Sequence, residues 1–270
     1  MEYSPYNPKN TPLCPEDIRS ILRTCGLPHY TIRDPLIFQK AMVHSTYVRR
    51  TEYTTLAGAP ATLAPCPLGV LDLQDESYEQ LEFLGDSMLG SVVANYLHER
   101  YPQSNPGFLT NTRKLIVRNR TLGMLARMLG LDKFFVISKH VEEMKPEHGR
   151  QNIEKLGDVL EAFIAALWLD SDKDFQTVYI FITTVVETLL DIPTLLREDD
   201  NFKDRMQKHC QQVHHYTPIY KMMSFDDKKS EFVMSVCTPS GEVLGTGRAN
   251  TKKTAEQNAC KTALQRWNLL

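Results

Sequence analysis

The 270-residue chain has no uninterrupted apolar run of the ~20 residues a helix needs to cross a bilayer. Val178 to Leu190 comes closest, but Thr183, Thr184, Glu187 and Thr188 interrupt it, so it reads as a packed helix and no membrane partner is expected. The start, MEYSPYNPKNTP, lacks both a basic head and an apolar core, so no secretory signal is visible. The cysteines, Cys14, Cys25, Cys66, Cys210, Cys237 and Cys260, are scattered without a CxxC pair. That spacing argues against a zinc site or a disulfide framework and for free thiols in a reducing, intracellular compartment, the cytoplasm. No internal repeat is evident, and the length suits about two domains of roughly 100–200 residues.

Strong net charge is also missing: the balance is −2 at pH 7. From residue 200 onward, however, 11 Lys and Arg face 7 Asp and Glu, whereas 20 face 26 before it. A polyanion-binding segment belongs at the C-terminal end on this count, although so small an excess is also common on solvated surfaces.

What the chain does have is acid in apolar surroundings. In YEQLEFLGDSML, Tyr78 to Leu89, Glu79, Glu82 and Asp86 follow i, i+3, i+7 spacing and share one face of a predicted helix. Like charges so aligned repel, so the stripe is either open to water or bound to a cation; the interleaved Leu81, Phe83, Leu84, Met88 and Leu89 favour packing. A second pair, Asp158 and Glu161 in LGDVLEAFIAALWLD, lies on one face of a segment too apolar for a solvated surface. Packed together, Glu82, Asp86, Asp158 and Glu161 would form a hard, all-oxygen cage suited to Mg²⁺, with Mn²⁺ able to substitute. A di-iron redox site would add ExxH ligands, and neither cluster supplies His at that spacing.

LEFLGDSML at Leu81 to Leu89 resembles the signature of the ribonuclease III family, endonucleases that cut double-stranded RNA. KAMVHSTY at Lys40 to Tyr47, RKLIVRNRTLGMLARMLGL at Arg113 to Leu131 and GDVLEAFIAALWLD at Gly157 to Asp170 extend the similarity in the right order. The resemblance implies that Glu82, Asp86, Asp158 and Glu161 hold divalent metals, with Glu79 on the edge of the catalytic site. It also implies phosphodiester hydrolysis leaving 5′-phosphate and 3′-hydroxyl ends with a short 3′ overhang. In such chemistry two Mg²⁺ ions activate a water and stabilise the departing 3′ oxygen, and no histidine base is needed. Carboxylate ligands bind metal only when ionised, so metal binding should weaken as pH falls. The matching Phe of the family lies at a two-fold interface, so Phe83 implies a homodimer cutting opposite strands; read without the family, it is simply core. The alternative function is a catalytically weak or inactive binder of double-stranded RNA, a scaffold or a silencing suppressor. For a viral member the compartment would be the host cytoplasm.

Residues 202–270 read as α-β-β-β-α: a helix over Phe202 to Gln212, strands at Ile219 to Met223, Glu231 to Thr238 and Glu242 to Ala249, and a last helix capped by Thr251 and running to about Trp267. With GTGRANTKKTAEQNACKTAL this resembles the double-stranded RNA-binding domain. Lys252 and Lys253 open the last helix, where their charge and the helix dipole would both meet phosphates. Gln207 is a candidate minor-groove contact, and Lys228 and Lys229 stand in a loop where family members usually carry a His, with Asp226 and Asp227 opposing binding.

The expected organisation is an extension over 1–14, an all-α nuclease domain over 15–196, a linker at 197–201 and the small α+β domain over 202–270. Apolar residues at helical spacing in Ile18 to Leu22, Leu36 to Val43, Leu115 to Leu129 and Phe175 to Leu190 support the helical reading. Leu122, Met124, Leu125 and Met128 read as one core stripe, and His44 as a structural rather than catalytic histidine. Two departures from the family stand out in the nuclease domain. Pro106 replaces an acidic residue before Gly107, and residues 51–77 form an insertion, centred on AGAPATLAPCPLG, that reads as a mobile loop or protein-contact segment.

Overall fold

The computed structural model describes residues 2–54, 58–144, 148–197, 201–227 and 229–270. The chain divides into two units, Met1–Leu195 and Leu196–Leu270. The first contains β1 (Glu2–Tyr3), α1 (Pro15–Thr24), α2 (Pro35–Lys40), β2 (Tyr53–Thr54), β3 (Pro60–Leu63), α3 (Glu79–Arg100), α4 (Pro106–Ile116), α5 (Asn119–Met128), α6 (Lys139–Glu142), α7 (Ile153–Asp170) and α8 (Phe175–Leu189); α9 (Ile192–Arg197) follows. No helix of the described residues is long and apolar enough to cross a membrane.

Helix α7 is the axis of the first unit. It is apolar nearly all round, and Leu156, Val159, Leu160, Phe163, Ile164 and Leu167 are all buried, as a helix surrounded by others must be. Asn152 caps it by accepting from the backbone N–H groups of Glu154 and Lys155, both at 3.0 Å. Helices α3 and α5 pack along it. Helix α4 begins with Pro106 behind the cap Asn105, whose side chain accepts from Phe108 N at 2.9 Å. Pro at that position needs no N–H partner, which accounts locally for the residue that departs from the family.

The stretch from Leu115 to Leu129 is not one helix. Helix α4 ends at Ile116, Arg118 takes an extended conformation, and α5 starts at Asn119. The Thr121 hydroxyl donates to Leu115 O at 2.7 Å and satisfies a carbonyl freed by the break. The expected core stripe on α5 is also corrected. Leu122 and Leu125 are buried with Ala126, but Met124 and Met128, spaced i, i+4 on the opposite side, are exposed.

The insertion, read as a mobile loop or a protein-contact segment, carries two short strands. Strand β3 pairs in parallel with β1 of the N-terminal extension and antiparallel with β2, and the Tyr3 and Tyr53 rings stack at 5.5 Å. Its last residues are tied down by Tyr47 Oη donating to Leu71 O at 2.5 Å and Arg49 N donating to Gln74 O at 2.8 Å. The helical unit thus bears a small sheet. Alternation was too short in these segments, two to four residues, to signal strands. Residues 55–57 of the insertion and 198–200 of the expected linker lie outside the described residues.

The second unit runs α10 (Phe202–Val213), β4 (Ile219–Asp226), β5 (Glu231–Cys237), β6 (Val243–Ala249) and α11 (Lys252–Arg266), in the α-β-β-β-α order expected. The strands form an antiparallel sheet in the order β4-β5-β6. Met206, Cys210, Val236, Leu244, Ala259, Cys260, Ala263 and Leu264 build its core. A side chain at Gly247 would lie 2.2 Å from Ala259 N, so glycine there lets α11 rest directly on β6.

Candidate metal centre and nucleic-acid interface

Gly85 sets the geometry of the acidic site. A Cβ there would lie 1.8 Å from the Glu161 carbonyl oxygen, so only glycine lets the backbones of α3 and α7 come so close. The approach carries Glu82 of α3 to Asp158 and Glu161 of α7. One carboxylate oxygen from each lies within 4.8 Å of the others. Glu161 is the deepest, 6% exposed, and Glu82 and Asp158 are half-buried.

Asp86 and Glu79 stand outside that triad and are exposed. Both still act on it electrostatically. Burial first, then the charges of Asp86, Asp158 and Glu82, push the Glu161 carboxyl up to about 8. Burial, followed by Asp158, Glu79 and Asp86, raises Glu82 as well. Asp158 is raised by burial against the opposing hydrogen bond from Tyr78. Carboxylates so crowded resist sharing negative charge, and an all-oxygen donor set of this kind fits a hard divalent cation.

Two residues that the sequence did not single out hold Asp158. Tyr78 Oη donates to its Oδ2 at 3.3 Å, and Asn119 Nδ2 donates to its Oδ1 at 3.0 Å. The only trace of Asn119 in the sequence is a poor helix former in the middle of an apolar helical pattern, and Tyr78 is marked only by standing directly before the first acid. Burial first, then Asp158 and Glu82, raises the Tyr78 phenol well above its ordinary value, so it remains an O–H donor. His44 lies behind it with ring centroids 5.9 Å apart. Burial first, then Lys155, depresses His44 to about 4, and its Nδ1 accepts from Thr46 N at 3.1 Å. A neutral, internally bonded imidazole is a structural one.

Phe83, between the acids, is 79% exposed and so does not belong to the core of this chain.

In the second unit Lys252 and Lys253 are exposed at the start of α11, where Thr251 Oγ1 accepts from Thr254 N at 3.2 Å. Lys252 Nζ sits 5.7 Å from the Phe232 ring centroid, which holds the cation at the helix start. Gln207 is exposed on α10, and Lys229 is exposed in the β4–β5 turn. Lys228 lies outside the described residues.

Known proteins bear on both units. The Ribonuclease III domain model matches residues 79–172 and the Double-stranded RNA binding motif model matches residues 202–266. A "Probable ribonuclease 3" of Acanthamoeba polyphaga mimivirus is 30% identical over 98% of this chain, which spans only 47% of that protein. "Ribonuclease 3" of Azobacteroides pseudotrichonymphae is 28% identical over 90% of this chain and 82% of its own length. "Ribonuclease 3" of Acinetobacter baylyi is 32% identical over 70% of this chain and 81% of its own. Among solved structures, the nuclease domain of ribonuclease III from Campylobacter jejuni aligns at 23% identity and a TM-score of 0.48, over 64% of this chain and 97% of that one.

Proposed function

The chain belongs to the ribonuclease III family of endoribonucleases, and from that premise we propose that it cleaves double-stranded RNA by divalent-metal-assisted hydrolysis, with Mg²⁺ held by Glu82, Asp86, Asp158 and Glu161. The observation that carries this reading is the convergence of Glu82, Asp158 and Glu161 in a half-buried, acid-raised cluster where α3 meets α7. A scaffold gains nothing from paying such a desolvation cost. Held by these carboxylates, a divalent ion would supply Lewis acidity toward water and the departing 3′ oxygen.

The chain's own residues supply the rest. Glu161, Glu82 and Asp158 provide the inner oxygen donors, while Asp86, the fourth proposed ligand, and Glu79 add negative charge from the exposed side. The nuclease domain is assigned to 15–196 and RNA capture to 202–270, joined by 197–201. Within the latter, exposed Lys252, Lys253, Gln207 and Lys229 are the residues assigned to phosphate and groove edges, the lysines binding sequence-independently. Exposed Phe83 suits the centre of a two-fold contact, so the active form is a homodimer whose two sites leave 5′-phosphate and 3′-hydroxyl ends with a short 3′ overhang. The cytoplasm suits four buried free thiols, Cys25, Cys210, Cys237 and Cys260.

The test is cleavage of labelled double-stranded RNA of about 30 base pairs, longer than the roughly 16 that one binding domain spans. Cutting in Mg²⁺ but not in EDTA, with overhanging ends on sequencing, is expected. Binding without cutting would leave only the RNA-capture half of the reading.

A further inference from the structure

We propose that Tyr78 is a positioning residue for the metal centre: its hydroxyl fixes the orientation of the Asp158 carboxylate and thereby sets the affinity for the divalent cation. The inference rests on the metal-centre reading given above. Tyr78 stands directly before α3, the helix that carries Glu82, and reaches across to α7, the helix that carries Asp158 and Glu161. Its backbone is fixed at both ends, because Tyr78 N donates to Val43 O at 2.8 Å and Glu82 N donates to Tyr78 O at 2.9 Å. Its ring is 4% exposed and held between His44 and Phe135, with centroids 5.9 and 6.3 Å away.

The hydroxyl therefore has little freedom, and it meets Asp158 Oδ2 at 3.3 Å while Asn119 meets Oδ1 at 3.0 Å. The carboxylate is gripped from two elements, the start of α3 and the start of α5, and each oxygen keeps a lone pair for a cation. A free Asp side chain would have to give up its rotation on binding metal; this one has largely lost it already. Groups that orient a metal ligand in this way change affinity by about 10–100-fold when removed. A merely structural role predicts something else: the ring would matter and the hydroxyl would not.

Tyr78→Phe separates the two, since it deletes one oxygen and keeps the ring between His44 and Phe135. Mn²⁺ is titrated into the RNA-free 270-residue protein and free Mn²⁺ is read by electron paramagnetic resonance, for wild type, Tyr78→Phe and Glu161→Gln. The expected result is a dissociation constant about tenfold weaker in Tyr78→Phe, with a nearly unchanged melting temperature in metal-free buffer. In the cleavage assay the Mg²⁺ requirement should rise by the same factor, and the rate at saturating Mg²⁺ should return to near the wild-type value. If wild type binds Mn²⁺, Glu161→Gln does not, and Tyr78→Phe matches wild type, the role of Tyr78 is overturned and the metal centre stands. If wild type fails to bind, or Glu161→Gln binds as well as wild type, the metal-centre reading falls and the role of Tyr78 with it.

Discussion

At the scale of the residue, Glu161 is the most deeply buried acid of the site. Its carboxyl is pushed up to about 8 by burial and then by Asp86, Asp158 and Glu82. The folded state therefore holds that proton more tightly than the unfolded chain, where a Glu titrates near 4.3. Without metal, the associated stability is fully present below the unfolded value and is lost as pH rises through about 8. Glu161→Gln should thus match wild type at low pH and exceed it in alkaline, metal-free buffer, by roughly 1–3 kcal/mol. Added Mg²⁺ should reverse the order, because the proposed site is intact only in wild type. Thermal melts at two pH values, with and without Mg²⁺, check this; a difference independent of pH would contradict it. The acids were legible in the sequence because carboxylates inside apolar helices are costly and stand out. Tyr78 and Asn119 were not, since neither is unusual until the fold brings it to Asp158.

At the scale of the element, the contact of α3 with α7 makes the site. Gly85→Ala would place a Cβ 1.8 Å from a backbone oxygen, which cannot rotate away as a side chain can. The helices must separate, so the variant should lose about 1–3 kcal/mol of stability and bind Mn²⁺ more weakly. Calorimetry with a Mn²⁺ titration reads both, and a variant as stable and as tightly binding as wild type would overturn the argument. Helical periodicity made α1, α3, α7 and α8 readable. It could not show the break at Arg118, because Leu115, Leu122 and Leu125 keep an apolar pattern across it. Nor could it show that Met124 and Met128 face outward, since an apolar residue is free to sit on either side of a helix. The strands of the insertion are two and four residues long, and β3 also pairs with β1 from the chain's first residues, so local sequence carries little sign of them.

At the scale of the whole molecule, the two-unit organisation was readable from charge asymmetry and from the change of pattern near residue 200. The proposed homodimer rests on Phe83. A large aromatic exposed beside the acids suits burial by a second copy. Phe83→Asp should weaken dimerisation by on the order of 2 kcal/mol, about 30-fold, as for an aromatic interface anchor. Sedimentation velocity over a concentration series reads the change; a monomeric wild type, or a variant that dimerises equally well, would contradict it.

The buried acids are proposed to hold the metal for cutting double-stranded RNA. The most direct test is the paired measurement of cleavage and binding for wild type and Glu161→Gln on the same duplex in Mg²⁺. Cleavage should fall by at least the roughly hundredfold that loss of a ligand's hydrogen-bond partner can cause, with duplex affinity unchanged because the lysines proposed to bind RNA lie in the other unit. Equal cleavage by the variant, or no cleavage by wild type that binds the duplex, would contradict it.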